Sequence, residues 1–99
     1  MQTIPTDWPF DDSPNMAVIT TQHVIEQSAP ILLVTHDADD GGWQFLPGGS
    51  LLEHDARIVA MRSVWLLDPS VGELADLPLG WQAWRRSHQA PWQKSLRDG

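Results

Sequence analysis

Short apolar runs bounded by turn-forming residues set the pattern of this chain. Residues 16–19 make a first short strand, after which Thr20 or Thr21 offers a hydroxyl to cap a helix over 22–27 with Val24 and Ile25 inward. Pro30 ends that segment. Residues 31–36 are a continuous apolar run, short enough for a buried strand. Residues 37–42 are rich in turn formers, and Trp43 and Phe45 then resume at alternate positions, so the stretch reads as a β-hairpin.

Pro47, Gly48, Gly49 and Ser50 give the next turn, and a short helical or irregular stretch through Asp55 leads to a third core strand over 57–61. Ser63 is positioned to cap a brief helix carrying Val64, Trp65 and Leu67. Asp68-Pro69 is a second start signal, because aspartate accepts amide hydrogen bonds at a cap and proline is preorganised for the first helical position. Val71, Leu74 and Ala75 then share one face. After the break at 77–80, Trp81, Trp84 and Arg85 recur at helical spacing. The expected fold is α+β, a small antiparallel sheet against two or three short helices in the order β-α-β-β-β-α-α. Residues 1–15 read as an irregular lead in which Trp8 and Phe10 are candidates to dock, 16–88 as a single domain, and 89–99 as a tail with only Trp92 to pack.

A chain of 99 residues has room for one modest core. It has no cysteine, so disulfides, thiolate metal sites and a cysteine nucleophile are excluded, which suits a reducing compartment. Residues 1–13 hold no basic residue and no apolar run, unlike a secretory signal, and no stretch approaches the roughly 20 apolar residues of a membrane span. A cytoplasmic location is the expectation.

Net charge is −7, and its distribution is lopsided. Residues 1–56 hold nine acidic side chains and no Lys or Arg, whereas all six basic residues lie beyond them. Phosphate binding needs clustered cations, so nucleic acid is not an expected partner. An acidic surface steers a basic protein instead.

Three segments carry a family resemblance: 35–46 (THDADDGGWQFL), 67–71 (LDPSV) and 76–84 (DLPLGWQAW). They resemble small bacterial proteins of unknown function that share an acidic hairpin ending in GGW-F, an LDPS helix start and a PLGW-AW C-terminal helix. The resemblance spans roughly residues 16–92. Some of these relatives are grouped with immunity proteins, which neutralise toxins of interbacterial competition by binding them. The shared motifs are turns, caps and packed tryptophans, so the resemblance implies a fold, with no cofactor and no catalytic residue to carry over.

The residues themselves mark out no catalytic set. Asp37 to Gly42 has a calcium-loop flavour, but Gly41 and Gly48 stand where two oxygen ligands belong. His23, His36, His54 and His88 lack paired zinc-binding spacing, although His36 and His54 each precede an aspartate and could form one polar group if they meet. Gly48-Gly49-Ser50-Leu51-Leu52 lacks the second glycine of a nucleophile elbow. Six tryptophans and no tyrosine are the most unusual feature. Trp43, Trp65 and Trp81 are expected in the core, while Trp84 and Trp92, flanked by Arg85, Arg86 and His88, are candidates for a partner face or a self-association face.

The expected function is therefore a non-catalytic protein-binding module without cofactor or metal. Its sharpest form is an immunity-type inhibitor of a basic bacterial toxin. Asp37, Asp39, Asp40, Trp84 and Trp92 are the expected partner-binding residues, membranes and nucleic acid are not expected partners, and a homodimer is open. Two alternatives also stay open: a small-molecule or sensory domain with a tryptophan-lined pocket, and a small enzyme whose site assembles from distant residues.

Overall fold

The computed structural model of the protein describes residues 7–49 and 53–97. Among the described residues, six strands, β1 (Ala17–Thr21), β2 (Leu33–His36), β3 (Trp43–Leu46), β4 (Ala56–Ala60), β5 (Trp81–Trp84) and β6 (Gln93–Leu96), form one sheet in the order β4-β1-β3-β2-β5-β6. Helix α1 (Gln22–Ile25) follows β1 and helix α2 (Met61–Leu67) follows β4, with 3-10 helices at Glu53–Asp55 and Pro69–Leu74. The fold is α+β, and the expected element order holds through the second 3-10 helix.

Local chemistry accounts for much of this. Thr21 is extended and its hydroxyl accepts from the Val24 amide at 3.3 Å, capping α1. That helix has only four residues, so it turns Val24 inward and leaves Ile25 38% exposed, contrary to expectation. Asp68 accepts from the Ser70 amide at 3.1 Å and Pro69 takes the first helical position. The result is a 3-10 helix, in which residues three apart eclipse, and Val71 and Leu74 are both fully buried. Ser63 is not a cap: α2 begins two residues earlier without one. Its first amides are satisfied from elsewhere, Met61 donating to the Met16 carbonyl at 2.8 Å and Arg62 to that of Pro14 at 3.0 Å.

Four features depart from the expected pattern, and the first is that the expected third core strand over 57–61 is β4, an edge strand with residues 56–58 exposed and Met61 already in α2. The segment Trp81–Trp84 is a strand, with Trp81 and Ala83 toward the core and Gln82 and Trp84 on the other face. The free edge of β2 offers this segment a full antiparallel ladder, and tertiary pairing overrides the helical spacing of its tryptophans. Residues 93–96 form β6 along the outer edge of β5, where exposure on both faces leaves no hydrophobic period to read. The sheet is mixed, because β1 lies between β4 and β3 and runs parallel to β3.

All the helical segments that bury apolar side chains do so on one face of the sheet. Val18, Phe45, Val34 and Ala83 meet Met61, Val64, Val71, Leu74 and Leu77 there. The lead joins in: Phe10 is buried edge-on to Trp43, and Trp8 packs edge-on to Trp65. Trp43 is itself buried, with Trp65 and Trp81 packed around the same core.

Candidate partner-binding end

The 37–42 loop joins β2 to β3 and is closed by two backbone hydrogen bonds, Asp37 N–H to Gly42 O (2.8 Å) and Gly41 N–H to Asp37 O (2.9 Å). Gly41 has φ +73°, a conformation that favours glycine. Asp40 Oδ1 accepts from the Gly42 amide at 2.8 Å, and a Cβ at Gly42 would fall 2.9 Å from that oxygen. The paired glycines thus let an aspartate cap its own turn.

The three hairpin aspartates differ in role. Asp37 is pinned: its Oδ1 accepts from Arg97 Nη1 at 2.7 Å and its Oδ2 from Gln44 Nε2 at 2.9 Å. Asp40 is exposed beyond its cap, and Asp39 is exposed with no hydrogen bond or ion pair among the described residues. Asp37, Asp39 and Asp40 line one side of a cleft of about 490 Å³ shared with Gln44, Gly80 and Arg97.

On the opposite flank of the same loop, Asp11, Asp12 and Asp76 line a second cleft of about 350 Å³ with His36 and Gly41. Asp12 reaches this place because its Oδ2 accepts from the Trp43 indole at 2.6 Å and its carbonyl from the Trp8 indole at 2.8 Å. Asp76 follows the Pro69–Leu74 helix and pairs with Lys94 at 3.3 Å. Six carboxylates from three separate segments therefore surround one loop. Sequence reasoning found the three on the hairpin and missed the others, since only folding brings residues 11, 12 and 76 beside residue 41.

The expected tryptophans do not join this end. Trp92 lies over the Arg85 guanidinium, 4.0 Å from its carbon to the ring centroid, and donates to the Ser70 carbonyl at 3.4 Å. Arg85 is buried and donates to Ile31 O, Asp68 Oδ2, Ser70 Oγ and His88 O, at 2.8 to 3.1 Å. Burial disfavours a charge on Asp68, but hydrogen bonds from the Ser70 hydroxyl and amide, with the Arg85 guanidinium and the His88 ring beside it, outweigh it and hold its carboxyl below the ordinary range. This network ties the segment ahead of β2, the 3-10 helix and the C-terminal turn together, and Trp92 packs on it. Trp84 is 46% exposed at the far end of β5 from the hairpin.

The remaining chemical candidates disperse. His36 stacks on Trp43 at 3.9 Å with its Nδ1 2.7 Å from the Leu77 carbonyl, whereas His54 lies 3.5 Å from Asp55 and does not meet it. Ser50 of the Gly48-Gly49-Ser50 turn lies outside the described residues. Each of the four clefts described holds at most one tryptophan. Among the described residues, no three His, Asp or Glu side chains are grouped to hold a metal, and no helix is long and apolar enough to cross a membrane. What the acidic end can do is concentrate negative potential and attract cations. No protein-family model, curated protein or solved structure matches this chain.

Proposed function

We propose that this chain is a non-catalytic protein-binding module whose acidic end captures a partner with a basic surface. The observation that carries this reading is the convergence of Asp11, Asp12, Asp37, Asp39, Asp40 and Asp76 on the two flanks of one rigidly closed loop. Such a field raises the encounter rate with cationic proteins and repels nucleic acid and anionic lipid alike. An immunity-type inhibitor of a basic bacterial toxin is its sharpest form, in keeping with the resemblance of the DGGWQF, LDPS and PLGWQAW segments. Inhibition of that kind needs only tight occlusion, and the module then acts with no cofactor.

The test is affinity capture from lysate of the source cells at low and high salt, with the wild-type chain and an Asp39→Lys/Asp40→Lys variant. One Lys/Arg-rich protein retained at low salt, and retained less at high salt or by the variant, is the expected result. Retention indifferent to both salt and charge reversal overturns the reading.

A further inference from the structure

The sheet has two faces, and the described helical segments bury apolar side chains on only one of them. By register, the other face carries Ile58 of β4, Ile19 of β1, Leu33 of β2 and Trp84 of β5, together with Gln44, Thr35 and Gln82, and Leu46 of β3 is buried among them. Antiparallel sheets with one wet face ordinarily place polar residues there. Here Ile58 is 75% exposed, Trp84 46% and Ile19 39%. Single exposed apolar residues need no explanation, but three on one sheet face, carried by β4, β1 and β5 around the half-buried Leu33, do. With strands spaced at about 4.8 Å, β4 and β5 stand about 19 Å apart across this face, with Ile58 level with Gln82 and Trp84 two residues further along.

This face is continuous with the acidic end. Asp37 lies over it, since its carboxylate accepts from Gln44 Nε2 at 2.9 Å and from Thr35 Oγ1 at 3.4 Å, and both side chains belong to the same face by register. The exposed Asp39 and Asp40 extend just beyond.

We infer that the sheet face opposite the described helical segments is the docking surface for the basic protein partner, with Trp84, Leu33, Ile19 and Ile58 burying an apolar patch that the partner carries beside its Lys/Arg cluster. This rests on the proposed function and adds the place where affinity is made. Charges at the hairpin steer encounter but, being exposed, contribute little once bound, whereas desolvated aromatic and aliphatic anchors set the lifetime of the complex. Charge complementarity selects the occupant: a second copy brings another chain of net charge −7, while a basic protein relieves the field of the six carboxylates.

The test places the photo-crosslinking residue p-benzoylphenylalanine in the full-length chain at position 58, at position 84, and at position 66 on the helix side, where Leu66 is 66% exposed. Each variant is irradiated in lysate of the source cells and the adducts are identified by mass spectrometry. The inference expects one Lys/Arg-rich protein joined to positions 58 and 84, absent from position 66, and lost in an Ile58→Asp/Trp84→Ser variant that keeps the wild-type circular dichroism. Adducts confined to position 66, adducts consisting of a second copy of this chain, or none at 58 and 84 overturn it. Retention of a basic partner that depends on Asp39 and Asp40, with positions 58 and 84 silent, defeats this inference alone. Adducts at 58 and 84 that survive Asp39→Lys/Asp40→Lys and high salt defeat the charge-driven reading and leave the docking face standing.

Discussion

The guanidinium of Arg85 donates to Asp68 Oδ2 at 2.8 Å, with side-chain exposures of 2% and 10%. Breaking a buried pair from one side strands an uncompensated charge. Arg85→Met should therefore destabilise the fold by about 3–5 kcal/mol in denaturant titrations, and adding Asp68→Asn should recover part of that loss. Equal losses in the single and double variants would mean that the packing of the arginine stem, and not charge pairing, holds the site.

Asp68 also sets an expected pH dependence. Its folded pKa lies below its unfolded value, so its contribution is complete above the unfolded carboxylate range and is lost as pH falls through the folded pKa. Stability attributable to Asp68 should be flat from pH 7 to about 5 and fall below about pH 4. Melting curves of wild type and Asp68→Asn should converge as the pH is lowered through that acid range. A constant difference between them down to the acid limit would contradict the assignment.

Trp92 caps the guanidinium of Arg85, and β6 follows it directly. Trp92→Ala should cost about 2 kcal/mol, below the usual range for a fully buried tryptophan because this one is half-buried. Amide exchange in β6 should rise more than in β1 or β3, because the strand is an edge held by one ladder, the Trp92 contact and the Asp37–Arg97 and Asp76–Lys94 pairs. Uniform acceleration throughout the sheet would show instead that β6 opens only with global unfolding.

The Trp43 indole is bound to Asp12, which anchors the N-terminal lead at the acidic end. Asp12→Ala leaves the indole of the buried Trp43 unpaired and should cost about 1–3 kcal/mol. Its Trp43 indole proton resonance should shift, while Asp11→Ala, at an exposed neighbour, should change stability by less than about 0.5 kcal/mol. Equal effects at the two positions would remove the anchoring role.

Strand and turn signals were legible wherever a local interaction fixes the backbone. The 37–42 turn needs Gly41 and the Asp40 cap, Thr21 caps α1, and Asp68-Pro69 starts the 3-10 helix, each within a few residues. Trp81 and Trp84 misled, because a spacing of three fits a helix face as well as opposite faces of a strand, and only the partner β2 discriminates. Of the expected partner residues, Asp37, Asp39 and Asp40 lie within four positions of sequence and stay together, while Trp92 is drawn into the Arg85 network and Trp84 onto a different part of the surface.

The sequence by itself determined an α+β class, the hairpin and its acidic turn, the caps, and most of the buried apolar positions, because hydrophobic period and turn chemistry act over a few residues. Tertiary structure alone decided the parallel insertion of β1 between β3 and β4, the recruitment of residues 93–96 as an edge strand, the burial of Arg85 against Asp68, and the gathering of Asp11, Asp12 and Asp76 around the hairpin. Those features join residues far apart in the chain, through ladder pairing, ion pairing and burial that exist only after the segments have met, and no local pattern records which segments those are.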